Sequence, residues 1–325
     1  MSVSNATGLI TRRRALLTGA SVAGGLVLST PFRTGIAFGQ EDASRRFNTT
    51  PPESVQREIE SIIDAQGSVS DEVFTIEIDR NDLPNVTLHG VPIKPSFEIN
   101  GDLVFQRLQD GATMMNGDLC IKKNELDAVI RELITHDIVF QAEHQHMYDY
   151  EPIVFFVHFR AMGDASTIAK GLKAALNVTS TPFPQTMPSN PTTPLPADEI
   201  GKILGAAPTI GSDGVVSYNI PRAEWIRLGG HHINPYLNVQ TNVFFEPYGG
   251  GQNAAVIPDF GMIASEVNNV VNVMQKQGWD IGCHYNQETD EFPQLYFSHQ
   301  FKTGDSIQLA KEVRKGLDQT NVIFK

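Results

Sequence analysis

The chain has 325 residues, 41% hydrophobic and 19% charged, with 27 glycines and 19 prolines. That composition suits a globular protein of two ordinary domains and excludes disordered, collagenous and membrane-bundle classes. Formal charge is −12, from 25 basic and 37 acidic residues with no long Lys/Arg cluster, which argues against nucleic acid and anionic membrane surfaces as partners. Two cysteines exclude a disulfide-rich scaffold and a four-cysteine zinc site.

Residues 1–39 read as an address. Arg12-Arg13-Arg14 precede Ala15-Leu16-Leu17 and a mildly apolar, small-residue-rich run to about Phe32, the pattern of a twin-arginine export signal. Ala37-Phe38-Gly39 places small residues at −3 and −1 for cleavage before Gln40. An uncleaved anchor helix is the alternative, but a run of about 18 residues is marginal against the ~20 a membrane helix needs. The segment has no cysteine, so it is not a lipoprotein signal. The mature chain is expected to be exported, periplasmic or extracellular, without stable membrane insertion after cleavage. Residues 40–52 then form a linker.

The remainder is one unit written twice. Shifted by 141 residues, Asp118–Leu176 lies on Asp259–Leu317 without a gap, pairing Glu125 with Glu266, Pro152 with Pro293, His158 with His299 and Asp164 with Asp305. Upstream, Val73–Arg80 parallels Val215–Arg222, and the acid two residues later recurs as Asp82 and Glu224. Leu126, Val129, Ile130 and Leu133 become Val267, Val270, Val271 and Met274, both sets at the spacing of one helix face. In chain order each copy predicts a short helix (54–63; 198–204) and a strand (73–78; 215–220). A looser stretch follows and ends in one or two strands (near 103–106 and 113–121; 239–245 and 254–263). Next come an amphipathic helix (125–135; 266–277) with Asn124 or Ser265 as N-cap, a β-hairpin (138–147 with 153–160; 279–287 with 294–301) and a last helix capped by Asp164 or Asp305. Hairpins rather than βαβ crossovers give an α+β fold: two tandem homologous repeats, each with helices packed on a mostly antiparallel sheet. The repeats are expected at 53–178 and 196–322, joined by 179–195, where Thr179–Pro196 holds six prolines in eighteen residues, a stiff exposed linker.

Gly117-Asp118-Leu119, Glu125, His144-Gln145-His146-Met147, Pro152, His158 and Gly163 carry a resemblance. Together they are similar to the signature of the LppY/LpqO-like family of exported proteins, which has the same tandem arrangement and a Gly-Asp … Glu … His-Asn-His-Met … Pro … His pattern. The resemblance covers nearly the whole chain after the signal. It implies architecture and no assigned activity. There is no lipobox cysteine, so a lipid anchor is not implied. The second copy carries Tyr285 and Gln287 where the first has His144 and His146.

His144 and His146 sit two apart on a predicted strand, so both rings project from one face, a common way to present nitrogen ligands to zinc or another divalent transition metal. Whether His158 joins them is a matter of register. If 144 pairs with 156, all three share a face; if 144 pairs with 155, His158 points away. Glu125 at the helix start could supply an oxygen ligand, with Glu151 from the turn as its substitute. Against a site, His158 recurs as His299 without its neighbours, and a carboxylate at a helix start is favoured by the dipole alone. The spacing His144-x-His146-x4-Glu151 also resembles the first cupin metal motif, although a helix-bearing repeat does not suit a jelly roll. His231-His232 reads as a solvated loop pair. Arg80 and Arg222, each followed by an acid, read as structural ion pairs, and Asp118 as a residue that caps or turns the chain. Cys120 and Cys283 are not equivalent positions; two buried free thiols are expected, though export permits a disulfide. Two functions stay open: a metal- or ligand-binding protein with one intact site, and a non-catalytic exported binding or structural module whose histidines are packing residues.

Overall fold

The computed structural model describes residues 48–83 and 85–325; the export signal read at 1–39 lies outside them. The first repeat runs α1 (Glu53–Ile63), β1 (Ser68–Ser70), β2 (Val73–Glu77), β3 (Thr87–Leu88), β4 (Val91–Pro92), β5 (Asp102–Arg107), β6 (Thr113–Lys122), α2 (Leu126–Thr135), β7 (Val139–His144), β8 (Tyr150–Glu151), β9 (Val154–Gly163) and α3 (Ala165–Asn177). The second runs α4 (Ala197–Leu204), β10 (Pro208–Ile210), β11 (Val216–Ile220), β12 (Arg227–Leu228), β13 (His231–His232), β14 (Thr241–Pro247), β15 (Asn253–Ile263), α5 (Val267–Lys276), β16 (Asp280–Ile281), β17 (Glu291–Phe292), β18 (Leu295–Asp305) and α6 (Ser306–Leu317). Both repeats build an antiparallel six-stranded sheet in the same order, β1-β2-β5-β6-β9-β7 and β10-β11-β14-β15-β18-β16. This is the α+β fold of two tandem repeats that the duplication predicts.

Strand alternation decides what each sheet face touches. Phe74, Ile76, Leu103, Phe105, Val157 and Phe159 point to the helices and form one core with Val129, Leu133, Ile168 and Leu172. The second repeat repeats this with Tyr218, Val243, Phe245, Val270, Val313 and Leu317. The other faces meet each other. Cys120 and Phe156 pack with Val215, Ala255, Ile257 and Phe301, and Val73, Val104 and Met114 with Leu228 and Leu237. The two sheets therefore stand back to back with helices outside, and the inner faces belong to both repeats.

Buried arginines tie strand to helix in each copy. Arg80 donates to Asp82 at 2.8 Å and to the Cys120 carbonyl at 2.6 Å, and lies 3.0 Å from Glu125. Arg222 repeats the set with Glu224, Gly261 and Glu266 at 2.8, 2.6 and 2.8 Å. These contacts also move the helix starts. The N-cap residues of α2 and α5 are Glu125 and Glu266, not Asn124 and Ser265. Their carboxylates accept from the backbone N–H of Lys122 and Ile263, both at 2.9 Å, so a shorter capping side chain one residue earlier has no role. Asp164 and Asp305 do cap the last helices, accepting from Thr167 and Gln308 N–H at 2.8 Å.

The second hairpin is shorter than its sequence suggests. Only Asp280–Ile281 and a bridge from Tyr285 to Phe297 pair with β18. Between them Cys283 N–H donates at 3.1 Å to the His146 carbonyl of the other repeat. Gly282 permits this approach, because a Cβ there would collide with that carbonyl oxygen. The proline-rich segment docks on the first repeat: Ser180 N–H donates to Glu125 at 2.8 Å and Gln185 to the Asp79 carbonyl at 3.1 Å. Among the described residues no helix is long and apolar enough to cross a membrane.

Candidate metal centre

The register of β7 on β9 answers the question of which face His158 occupies. His144 pairs with Phe156 and Ala142 with His158, so both histidines share the inner face. Their Nε2 atoms lie 2.9 Å apart. His146, just past the end of β7, completes a set with His144 and His158 whose ligand atoms all fall within 4.8 Å of one another. Two ligands held ~2.1 Å from one ion lie roughly 3–4 Å apart, so this spacing needs little adjustment to converge.

A second set shares His146. Glu98 Oε2 is 2.5 Å from His146 Nδ1 and 3.2 Å from His299 Nε2, and these three also form a group within 4.8 Å. The Glu98 contact is not aligned as a hydrogen bond. Both nitrogens of His146, Nδ1 of His144 and Nδ1 of His158 are buried with no hydrogen-bond partner. Flat packing fixes the rings: His146 lies between Phe156 and His299, with centroids 3.3 and 3.7 Å away. Tyr285 stacks on His144 at 3.6 Å. Beside them is a cavity of about 30 Å³ lined by residues of both repeats, including Glu98, Asp118, His146, His158, Asp259, Tyr285, Gln287 and His299. It is room for one ion or water.

Burial, then neighbouring histidines, hold His144 and His146 neutral by pushing their pKa values well below normal. Burial lowers His158 to about 3. Neutral imidazoles with free lone pairs are what a metal requires of histidine. His299 differs. Burial would lower it, but Asp259, Cys283 and Glu98 together raise it well above the usual value. Burial raises Asp118 and Asp259 to about 7 each.

Of the residues the sequence nominated, His144, His146 and His158 come together and Glu125 does not. Arg80, Lys122 N–H and Ser180 N–H already engage the Glu125 carboxylate, so it belongs to the strand–helix anchor. Glu151 is exposed on β8, opposite Thr87. His231 and His232 form the two-residue strand β13, with His232 exposed and edge-on to Trp225. Both cysteines are buried and free, Cys283 with its sulfur 3.1 Å from His299 Nδ1. Asp118 and Asp259 neither cap nor turn. They sit mid-strand, paired across the sheet with His158 and His299.

Glu98 and His299 escape sequence reasoning for different reasons. His299 is visible only as the repeat of His158, which reads as a fold residue. Glu98 belongs to no motif. In the structure it and Asn238, the matching residue of the second copy, both adopt positive φ, 67° and 55°, which nothing in the sequence announces. Matched in this way, the inner face of the first repeat carries Glu98, Asp102, His144 and His146 where the second carries Asn238, Asn242, Tyr285 and Gln287. The site is therefore composite: most of its ionisable groups come from the first repeat, and the second supplies His299, Asp259 and Tyr285 with neutral amides.

The donor set fits a transition-metal ion. The imidazoles of His146, His158 and His299 and the Glu98 carboxylate line an ion-sized space with His144 beside it, and four of the buried ring nitrogens are otherwise unsatisfied. The family described as Domain of Unknown Function (DUF1259) matches this chain twice, over residues 57–178 and 198–319, and the chain belongs to it. No curated protein matches. Two solved structures show weak similarity. EtuB from Clostridium kluyveri is 10% identical, covering 78% of this chain and 90% of that one at a TM-score of 0.20. The trimeric bacterial microcompartment shell protein PduB is 9% identical, covering 80% and 96% at a TM-score of 0.20. Likeness at that level carries nothing over to this chain.

Proposed function

We propose that this member of the DUF1259 family is an exported protein that holds a divalent transition metal between its repeats. His144, His146 and His158 would bind it, with Glu98 and His299 at the same centre and zinc the simplest ion for such donors. The observation that carries this reading is the group of buried ring nitrogens without hydrogen-bond partners beside an ion-sized cavity. An isolated packing histidine in a core normally finds a partner for its nitrogens; here three neighbouring rings leave four buried ring nitrogens unpaired. A metal bound there acts as a Lewis acid toward an oxygen ligand. Phe156 and Tyr285 keep water from the ring faces, while Asp118 and Asp259, with raised pKa values, can hold a proton beside the centre.

The test is metal analysis of protein exported in its native host, since refolded material could load the wrong ion. About one equivalent of metal is expected, lost in His144→Ala with the fold intact, because the second repeat has Tyr285 at that position. Metal-free native protein, with His144→Ala changing melting temperature alone, would overturn it. That outcome would favour the second reading, a non-catalytic module with packing histidines, which the flat stacking of His146 between Phe156 and His299 supports. Export is tested separately. Replacing Arg13 and Arg14 with Lys should retain the precursor in the cytoplasm.

A further inference from the structure

A second cavity, about 410 Å³, lies between the two sheets and shares Asn100, Asp102, Asn242 and Phe244 with the small one. Its size is that of a small organic ligand and far exceeds that of an ion. Strand register lays a path between the two spaces. In the first sheet Glu77 pairs with Asp102, and Asp118 with His158. Asp102 N–H bonds the Asp118 carboxylate at 3.1 Å, so the four residues form one row across β2, β5, β6 and β9. In the second sheet the matching row reads Asn219, Asn242, Asp259, His299. Both rows face inward. One is acidic from the large cavity to the metal centre, and the other is largely neutral.

Three carboxylates side by side on adjacent strands repel one another; Glu77 is exposed to the cavity, and Asp102 and Asp118 are half-buried. Yet among the described residues no lysine, arginine or histidine lines the large cavity. Among the described residues no side-chain ion pair or hydrogen bond engages the carboxylates of Glu77, Asp79 or Asp102, and Asp79 Oδ1 is buried without a partner. At the far end of the same path Asp259, 6% exposed, lines the small cavity, with its Oδ1 3.6 Å from His299 Nδ1. The opposing wall adds amides and hydroxyls (Asn219, Gln240, Asn242, Ser217), which can bond the polar groups of a guest.

We propose that this cavity binds a small amine-bearing molecule, its ammonium group held by Glu77, Asp79 and Asp102 and its polar groups by the amide wall. That the amine is the ligand presented to the metal rests on the metal reading above; that the cavity takes an amine does not.

The experiment is calorimetric titration of the mature chain, zinc-loaded and metal-free, with two matched pairs: glucosamine against glucose, and putrescine against 1,4-butanediol. Each amine should bind about tenfold or more tighter than its neutral partner. Glu77→Gln copies the amide that the second repeat already carries at Asn219, and should weaken amine binding about tenfold while zinc stoichiometry stays at one. Asp79→Asn should act in the same direction. Equal affinity within both pairs, or amine binding unmoved by both variants, overturns the proposal. So does calcium binding abolished by Glu77→Gln in a protein that takes no amine. Zinc loading without amine binding sinks this inference alone. Amine binding to a protein that takes no zinc, with the Glu77→Gln loss intact, supports this inference and sinks the metal reading alone.

Discussion

The two repeats agree where the chain must fold and differ where it faces its twin. Arg80 with Asp82 and Glu125 is reproduced contact for contact by Arg222 with Glu224 and Glu266. Each arginine also holds a strand carbonyl at 2.6 Å. The inner faces are not reproduced: histidines and acids of the first repeat become Tyr285, Gln287, Asn238 and Asn242 in the second. A fold contact must be made in every copy, because each copy buries its own core. A site lined by both copies needs one set of ligands only, since a second set would crowd the same small space with more charge.

The largest expected effect tests the shared part. Arg80→Ala and Arg222→Ala should each cost about 3–5 kcal/mol, because each takes the guanidinium from a buried glutamate; Lys122, 3.9 Å from Glu125, is too distant to replace it. Chemical denaturation should show two similar losses, and a mild effect in one repeat alone would break the equivalence. Next comes the unshared part. Metal at a hundred times its dissociation constant should stabilise the wild type by about 2.7 kcal/mol. That gain should vanish in His144→Ala and persist in Tyr285→Phe, which keeps the stacked ring. Equal behaviour of the two variants would place the centre elsewhere.

A third asymmetry concerns pH. Burial raises Glu288 to about 8 and Glu291 to about 7 in the second repeat, where the first has Met147 and Tyr150. A carboxyl whose folded pKa exceeds its unfolded value near 4.3 stabilises the fold while protonated and loses that contribution as pH rises through the folded value. Calorimetry should therefore show stability falling between about pH 5 and pH 8, by about 1.4 kcal/mol per pH unit for each group and several kcal/mol in all. A flat profile would mean these carboxyls stay ionised. The smallest effect returns to symmetry. Asp164→Ala and Asp305→Ala should each lower the melting temperature slightly and about equally, since both side chains cap a helix at the surface.

Duplication, helix faces, hairpins and the terminal caps are legible in the residues because they depend on spacing along the chain. A helix shows its apolar stripe every three or four residues, a strand every second, and a repeat shows both in the same phase twice. The same logic brought His144 and His146 to one face. Glu125 misled because a carboxylate at a helix start looks alike whether it awaits a metal or an arginine 45 residues upstream. Only the tertiary fold delivered Arg80 to it. Glu98, Asp118, Asp259 and His299 join the histidines through cross-strand register and through the packing of one sheet on the other. Periodicity carries no record of either, since partners from different repeats lie more than a hundred residues apart. The sequence determined which two units form and which faces they bury; the docking of those faces decided which side chains became neighbours, and with them the site.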